Sequence, residues 1–176
     1  MKTWLRLTII TMTVGGGFTG FALTLPFLLK PQSHQLFSSI FIACFLALYA
    51  FVTASGLLFV LNPQRTLPLF ISLGFQIPWI SSPLIAYRFT AGLHITVGFV
   101  GGDFNGGFRL GSDWQFNLFQ KSPWGLGVNL FAVTILALLA RAVLTTNKAQ
   151  LLTPIALASS GTPDNASSTP SSGAGG

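Results

Sequence analysis

The chain has 176 residues, of which 51% are apolar and only 7% are charged, and its formal net charge is +6. A soluble domain carries about 25% charged residues to cover its surface, so this composition argues against one and predicts an integral membrane protein surrounded by lipid. The nine basic residues are scattered singly along the chain rather than clustered, which excludes nucleic acid as an expected partner.

The first apolar run, residues 7–29, follows a short basic segment that contains Lys2 and Arg6. About 20 helical residues cross a hydrocarbon core of roughly 30 Å, so the run predicts a membrane-spanning helix. A basic start also fits a secretory signal, but the run exceeds the usual apolar region of about 7–15 residues and no A-x-A-like site follows it. We therefore expect this helix to be retained.

Three further apolar runs predict three further membrane-spanning helices, over residues 36–61, 67–87 and 125–144. The run 67–87 contains Pro78, which removes a backbone hydrogen bond and should kink a helix. It also contains Gln76, the single strongly polar residue in the middle of a predicted span. A glutamine at that depth usually bonds a neighbouring helix, but in a small channel or transporter it would contact the substrate.

These runs predict an all-α membrane protein with four transmembrane helices. The helices form one domain, residues 1–148, and a disordered tail rich in Ser, Gly and Thr follows over residues 149–176. Lysine and arginine favour cytoplasmic segments, and Lys2 and Arg6 lie ahead of the first helix. We therefore expect both termini in the cytoplasm, in a bacterial inner membrane or another energy-converting membrane.

The polar segment between the third and fourth helices, residues 88–124, predicts a β-hairpin. Residues 93–99 and 108–118 both alternate between apolar and polar side chains, which is typical of half-buried strands. The glycine-rich residues 101–107 between them, GGDFNGG, predict a tight connection. A lone hairpin is marginally stable, so its apolar face needs helix ends or a partner protein. The alternative is a re-entrant loop in which GGDFNGG lines a pore.

Two features predict contacts with other membrane proteins. Gly16 and Gly20 form a G-x-x-x-G pair in the first helix, and such small residues let another helix approach closely, within the chain or outside it. The polar segment supplies the second surface, because its amphipathic hairpin requires cover. The predicted partner-contact residues are Gly16, Gly20, Asp103, Asn105, Arg109, Asp113 and Trp114.

No metal site is predicted, and the question of a cofactor stays open. Residues 103–106, DFNG, begin like a calcium loop but lack the later acidic ligand. His34 and His94 lie on the same predicted side, but zinc needs a third ligand, and Cys44 is about 15 Å deeper if the second run is helical. A single histidine can also ligate haem or chlorophyll, although these two lie at the edges of the spans.

The sequence predicts an accessory or scaffolding subunit of a larger membrane complex. No catalytic motif is present, so no catalytic residue is assigned. The spans also lack an acid or lysine that would relay protons or sodium. Two alternatives stay open: a small channel or transporter with its polar position at Gln76, and a membrane-embedded enzyme that uses the surface residues His94 and Asp103.

Overall fold

The computed structural model describes residues 2–29, 36–119 and 121–159; for residues 36–38 and 146–159 it describes the backbone alone. The chain divides into two compact units, Met1–Ala140 and Arg141–Gly176. The sheet and the helix packing described below belong to the first unit. The last helix runs on to Ser159, and the rest of the predicted tail, residues 160–176, lies outside the described residues.

Two long helices occupy the first two predicted spans. They are α1 (Thr3–Leu29), which contains a π-helical turn at Thr11–Gly15, and α2 (Leu36–Leu61). They pack antiparallel, because Arg6 near the start of α1 donates a hydrogen bond to the carbonyl of Val60 near the end of α2. Both are long and apolar enough to cross a membrane. This is weak support for membrane association, since a buried core helix or a signal sequence meets the same criterion.

The rest of the first unit is a short helix and a sheet, followed by the start of the last helix. The helix α3 (Leu67–Gly74) precedes six strands, and α4 (Leu130–Ser159) follows them. The strands are β1 (Pro78–Ser81), β2 (Ile85–Thr90), β3 (Leu93–Val100), β4 (Asp103–Leu110), β5 (Asp113–Leu118) and β6 (Gly125–Asn129). They form one antiparallel sheet in the order β4-β3-β6-β1-β2-β5.

The prediction of an all-α protein with four transmembrane helices is therefore wrong, because the fold is mixed α/β. The third predicted span contains α3 and most of the β1–β2 hairpin, and the fourth begins with β6. Short apolar runs do not distinguish a buried helix from a buried strand. The helix here ends at Gly74, and Pro78, which lacks the N–H that a further helical turn would need, begins β1.

The predicted hairpin is corrected in two places. The tight connection is only Gly101 and Gly102, whose φ values of 62° and 99° favour glycine, and residues 103–107 belong to β4. The second predicted strand, residues 108–118, is divided at Gly111, which has φ 123°. Its first part is the end of β4 and its second part is β5, which pairs with β2 instead of β3. The region is thus part of a six-stranded sheet and not an isolated hairpin.

The sheet is strongly curled, because its two edge strands are consecutive in the chain. Only Gly111 and Ser112 connect the end of β4 to the start of β5. Three Cα steps of about 3.8 Å reach at most about 11 Å, whereas the edges of a flat six-stranded sheet lie about 24 Å apart at roughly 4.8 Å per strand. The edges therefore approach each other at this end, the narrow end, which comprises residues 90–93 and 110–113.

The helices hold the narrow end and one side of the sheet. Ser112 at the narrow end donates a hydrogen bond of 2.5 Å to the carbonyl of Gly16 in α1. The rings of α2 stack on the strands β2 and β5: Phe45 lies 4.8 Å from Trp114, and Tyr49 lies 4.8 Å from Phe89, between ring centroids. The buried core of this region is Phe45, Tyr49, Val52, Phe89 and Ala91.

Candidate functional site

The strand register divides the side chains of the sheet into a polar face and an apolar face. Residues that pair across neighbouring strands share a face, and Arg88 pairs with Gln115, Thr90 with Asp113, and His94 with Arg109. The polar set is Ser81, Arg88, Thr90, His94, Thr96, Asp103, Asn105, Arg109, Asp113, Gln115, Asn117 and Asn129. We call this the inner face, because charged groups from both edges of the curled sheet meet on it.

Asp113 forms ion pairs with two arginines on the inner face. Its Oδ2 lies 2.8 Å from Nη2 of Arg88 on β2 and 3.0 Å from Nη1 of Arg109 on β4. Because Arg109 belongs to one edge strand and Asp113 to the other, the second ion pair joins the two edges at the narrow end. Arg88 and Asp113 are mostly buried, whereas 62% of the Arg109 side chain is exposed.

His94 lies beside this ion-pair cluster with only 4% of its surface exposed. Burial lowers the pKa of His94, and the neighbouring positive charge of Arg88 lowers it further, so the neutral imidazole is favoured. Its Nδ1 has no hydrogen-bond partner among the described residues, and the same holds for Nε of Arg88 and Nδ2 of Asn129. The inner face thus contains buried polar atoms that remain free to bind water or a polar ligand.

The outer face of the sheet is apolar, and α2 covers only the part formed by β2 and β5. On β3, β4 and β6 the large apolar side chains face outward without cover from the described residues. Their exposed fractions are 61% for Phe99, 69% for Phe104, 72% for Phe108, 72% for Leu110 and 65% for Leu126. Surfaces of this kind mark sites of contact with protein or membrane.

The edge strand β4 is the most accessible element of the sheet, since all eight of its residues are exposed. It pairs with β3 on one side, and no described element pairs with its other side. Asp103 and Asn105, both predicted partner-contact residues, lie on this strand. Trp114, by contrast, packs its ring against Phe45 within the chain.

The two predicted glycine contacts are both made within the chain. A Cβ at Gly16 would lie 2.5 Å from the backbone nitrogen of Gly92, and a Cβ at Gly20 would overlap the ring of Tyr49. The glycines let α1 approach the narrow end and α2 closely, which is the intrachain form of the packing expected from the G-x-x-x-G pair. Whether a partner protein also contacts this face of α1 stays a prediction.

Gln76 is buried but does not lie in a membrane-spanning helix. It follows α3, where its Nε2 donates to the carbonyl of Ser72 at 3.1 Å and its Oε1 accepts the backbone N–H of Ala91 at 3.0 Å. These bonds tie α3 to the turn between β2 and β3. The position proposed for a channel therefore has an architectural role at the narrow end.

The structure does not bring together the two residues of the enzyme hypothesis. His94 is near the start of β3 and pairs with Arg109, whereas Asp103 pairs with Val100 at the other end of the same hairpin. Six residues separate the two positions along the ladder, or about 20 Å at roughly 3.3 Å per residue. Two side chains that act together in proton transfer must lie within hydrogen-bond reach of each other or of one substrate group. At this separation His94 and Asp103 do not act as such a pair.

Metal ligands are not clustered in the part of the chain that the structure describes. No group of three His, Cys, Asp or Glu side chains there could hold a metal ion. The predicted calcium-like segment, residues 103–106, is extended strand rather than loop. His34, the other histidine considered for zinc, lies outside the described residues.

Sequence reasoning missed Arg88 as a member of the site. The signal is present in Ile85–Thr90, IAYRFT, which alternates between apolar and polar residues from Tyr87 onward. Its position at the end of a long apolar run hid that alternation. Once β2 is recognised, Arg88 falls on the same face as Asp113.

Comparison with known proteins assigns no family: no family model, curated protein or solved structure matches this chain.

Proposed function

We propose that this chain is an accessory subunit of a membrane protein assembly and that it docks against another integral membrane protein through the outer face of its sheet. The observation that carries the proposal is the exposed apolar area on β3, β4 and β6, with Phe99 and Leu126 at its centre. Isolated apolar residues are ordinary on a protein surface, but a continuous face of them marks a contact site.

The position of the sheet supports a location within the membrane. If α1 and α2 cross the bilayer as an antiparallel pair, the contacts of Gly16 with the narrow end and of Phe45 with Trp114 put the sheet beside one half of that pair. An apolar outer face suits that depth, because a neighbouring membrane protein there can cover its exposed side chains.

The free edge of β4 also needs protein or water beside it, whichever copy or subunit supplies it, because lipid cannot bond free backbone groups. Open sheet edges are not found exposed to the hydrocarbon region, and the outer edge of β4 has no partner among the described elements. Lipid can surround Phe99 and Leu126, but only protein or water can satisfy an edge strand. The proposed role is therefore structural docking, without a chemical step.

The two-helix pair also defines the proposed topology. With two crossings, the start of α1 and the segment after α2 lie on the same side of the membrane. Lys2, Arg6 and Arg65 lie on that side, which favours the cytoplasm. The chain from α3 to β6 then returns from that side along the helices, so the multi-pass protein has its N-terminus in the cytoplasm.

Purification from native membranes in a mild detergent, followed by mass spectrometry, tests the proposal. We expect a different membrane protein to co-purify in a fixed ratio. The variant Phe99→Ala/Leu126→Ala should lose this partner, because it removes two large exposed side chains from the outer face.

The matched control is Leu7→Ala/Phe18→Ala, since these side chains are 59% and 66% exposed and belong to α1 instead of the sheet. It should retain the partner. A chain that purifies without any other protein, or equal loss of the partner in both variants, would contradict the proposed function.

A further inference from the structure

We propose that the outer edge of β4 pairs with β4 of a second copy of this chain, as an antiparallel two-fold ladder centred on Gly106. The proposal goes beyond the docking function, since it identifies a specific edge and a specific occupant. It rests on the proposed function in one respect: the edge must be covered because the sheet lies in the membrane.

The outer edge of β4 is exposed along the whole strand. β4 has eight residues, all exposed, and contains no proline. Its two charged residues, a type that commonly protects an edge strand from pairing, have opposite signs. Alternate residues of an edge strand direct their N–H and C=O groups away from the neighbouring strand. On β4 these groups point away from β3 toward a side where no described strand pairs with it. β5 approaches this edge at the narrow end, where Asp113 bonds Arg109.

The sequence of β4 is complementary to itself. In a two-fold antiparallel ladder centred on Gly106, Asp103 lies opposite Arg109 of the second copy, and the reverse pair forms as well. These are the only two charged residues of the strand, and they carry opposite signs. Opposite charges directly across an antiparallel pair are favourable, whereas like charges are not.

The same register pairs aromatic side chains. Phe104 lies opposite Phe108 of the second copy on the outer face, so both copies continue one apolar surface. Cross-strand aromatic pairs also stabilise antiparallel ladders. At the centre, Gly106 faces its own copy, where no side chain obstructs the approach.

Other registers fail one of these requirements. A slip by one residue would turn the inner face of one copy toward the outer face of the other, because side chains alternate with period two. A slip by two residues keeps the faces but centres the ladder on Asn105 or on Gly107, and then Asp103 no longer faces Arg109. Only the ladder centred on Gly106 satisfies both the faces and the charges.

The ion pair already present at Arg109 is compatible with the ladder. Nη1 of Arg109 bonds Asp113, but a guanidinium has five N–H donors, and 62% of this side chain is exposed. Asp103 is exposed and has no ion-pair partner among the described residues. A self-complementary contact of this kind closes as a two-fold dimer and does not extend into a filament.

Disulfide cross-linking of the full chain tests the register. In a Cys44→Ser background, purified Gly106→Cys protein in liposomes without any other protein should form a covalent dimer on mild oxidation, since its two Cα atoms would be within the range that a disulfide spans. The control is Leu110→Cys, which is also exposed but would lie about 26 Å from its copy, at roughly 3.3 Å per residue. A Gly106→Cys yield no higher than that of Leu110→Cys overturns the proposal.

Charge reversal tests the pairing independently. Asp103→Arg combined with Gly106→Cys should reduce the cross-linked fraction several-fold, because it places an arginine opposite Arg109 of the second copy. Arg109 itself is left unchanged, since it also bonds Asp113 within the chain. Lys121→Asp, at an exposed position outside the sheet, is the control for a charge reversal elsewhere and should leave the fraction unchanged. Circular dichroism checks that each variant is folded, and folded Asp103→Arg protein that cross-links as well as the parent Gly106→Cys protein overturns the proposal.

The two proposals fail separately. Because the liposomes contain no other protein, cross-linking at Gly106 depends only on the second copy, whereas co-purification from native membranes depends on a different subunit. A cross-linked dimer that purifies without other proteins would support the β4 ladder and contradict the docking function. A co-purifying subunit with no cross-link would do the reverse.

Discussion

The two edge strands of the sheet differ sharply in how the rest of the chain holds them, although two residues connect them. β5 is packed under the rings of α2, and its Asp113 joins two ion pairs. β4 is exposed along its whole length. The contrast teaches that the helices stabilise one half of the sheet and leave the other half, β3 and β4, available for contacts outside the chain.

The largest difference in stability should come from the aromatic packing of α2 against β2 and β5. Phe89 is completely buried between Phe45 and Tyr49, so Phe89→Ala should lower the free energy of unfolding by about 3–5 kcal/mol. Phe104→Ala on β4 should change it by only about 0.5 kcal/mol in protein diluted to the monomer. Urea unfolding in detergent measures both, and equal losses would contradict the division.

The next effect concerns the two aspartates of the sheet. Asp113→Asn removes the shared charge between Arg88 and Arg109 and should lower the free energy of unfolding by about 1.5–3 kcal/mol, the range for hydrogen bonds to charged groups. Asp103→Asn, on the free edge, should change it by about 0.5 kcal/mol or less. Thermal unfolding of the two single variants compares them directly. A larger loss of stability at Asp103 would contradict the conclusion that the chain stabilises β5 more than β4.

A smaller effect is expected where α1 meets the narrow end. A Cβ at Gly16 would lie 2.5 Å from the Gly92 nitrogen and 2.6 Å from the Ala91 carbonyl carbon, so the backbone must shift. Gly16→Ala should cost about 1–3 kcal/mol of stability. The neighbouring Gly15 has no atom within 4 Å of such a Cβ, and Gly15→Ala should be neutral or stabilising by up to about 1 kcal/mol. Chemical denaturation in detergent distinguishes the two, and a comparable loss at Gly15 would refute the close contact.

The smallest effect should be a pH dependence that originates at His94. Burial lowers the pKa of this histidine in the folded protein, so below the unfolded value of about 6.5 the unfolded chain binds more protons. Stability should therefore fall as the pH decreases from about 7 through 6.5 toward the lower folded pKa. His94→Gln should reduce this slope between pH 7 and 5, measured by urea midpoints. An unchanged slope would mean that His94 is not the group responsible.

Part of this fold can be predicted from the sequence because the signal is local. The apolar runs 7–29 and 36–61 are long, and helices cover both. The alternation in residues 93–99 indicates a strand, and β3 lies there. In each case the length or the period of the pattern is sufficient to distinguish helix from strand.

The other elements could not be assigned in this way, because their patterns are short and depend on distant partners. In the sequence, residues 78–81 and 85–90 resemble the end of an apolar helix. Their strand structure is decided by pairing, of β1 with β6 and of β2 with β5. Likewise, GGDFNGG resembles a loop, although all but its first two residues are strand. A glycine-rich strand has weak intrinsic preference for extended structure, so its partner strand decides.

The sequence by itself determined the apolar character of the chain, its two long helices and the concentration of charge near Asp103, Arg109 and Asp113. Only the tertiary structure decided that the sheet curls, that Arg88 and His94 join that charge, and that Gly16 and Gly20 pack inside the chain. The physical reason is that composition and periodicity are properties of neighbouring residues. A face, an edge or an ion pair between strands exists only once residues far apart in the chain have paired.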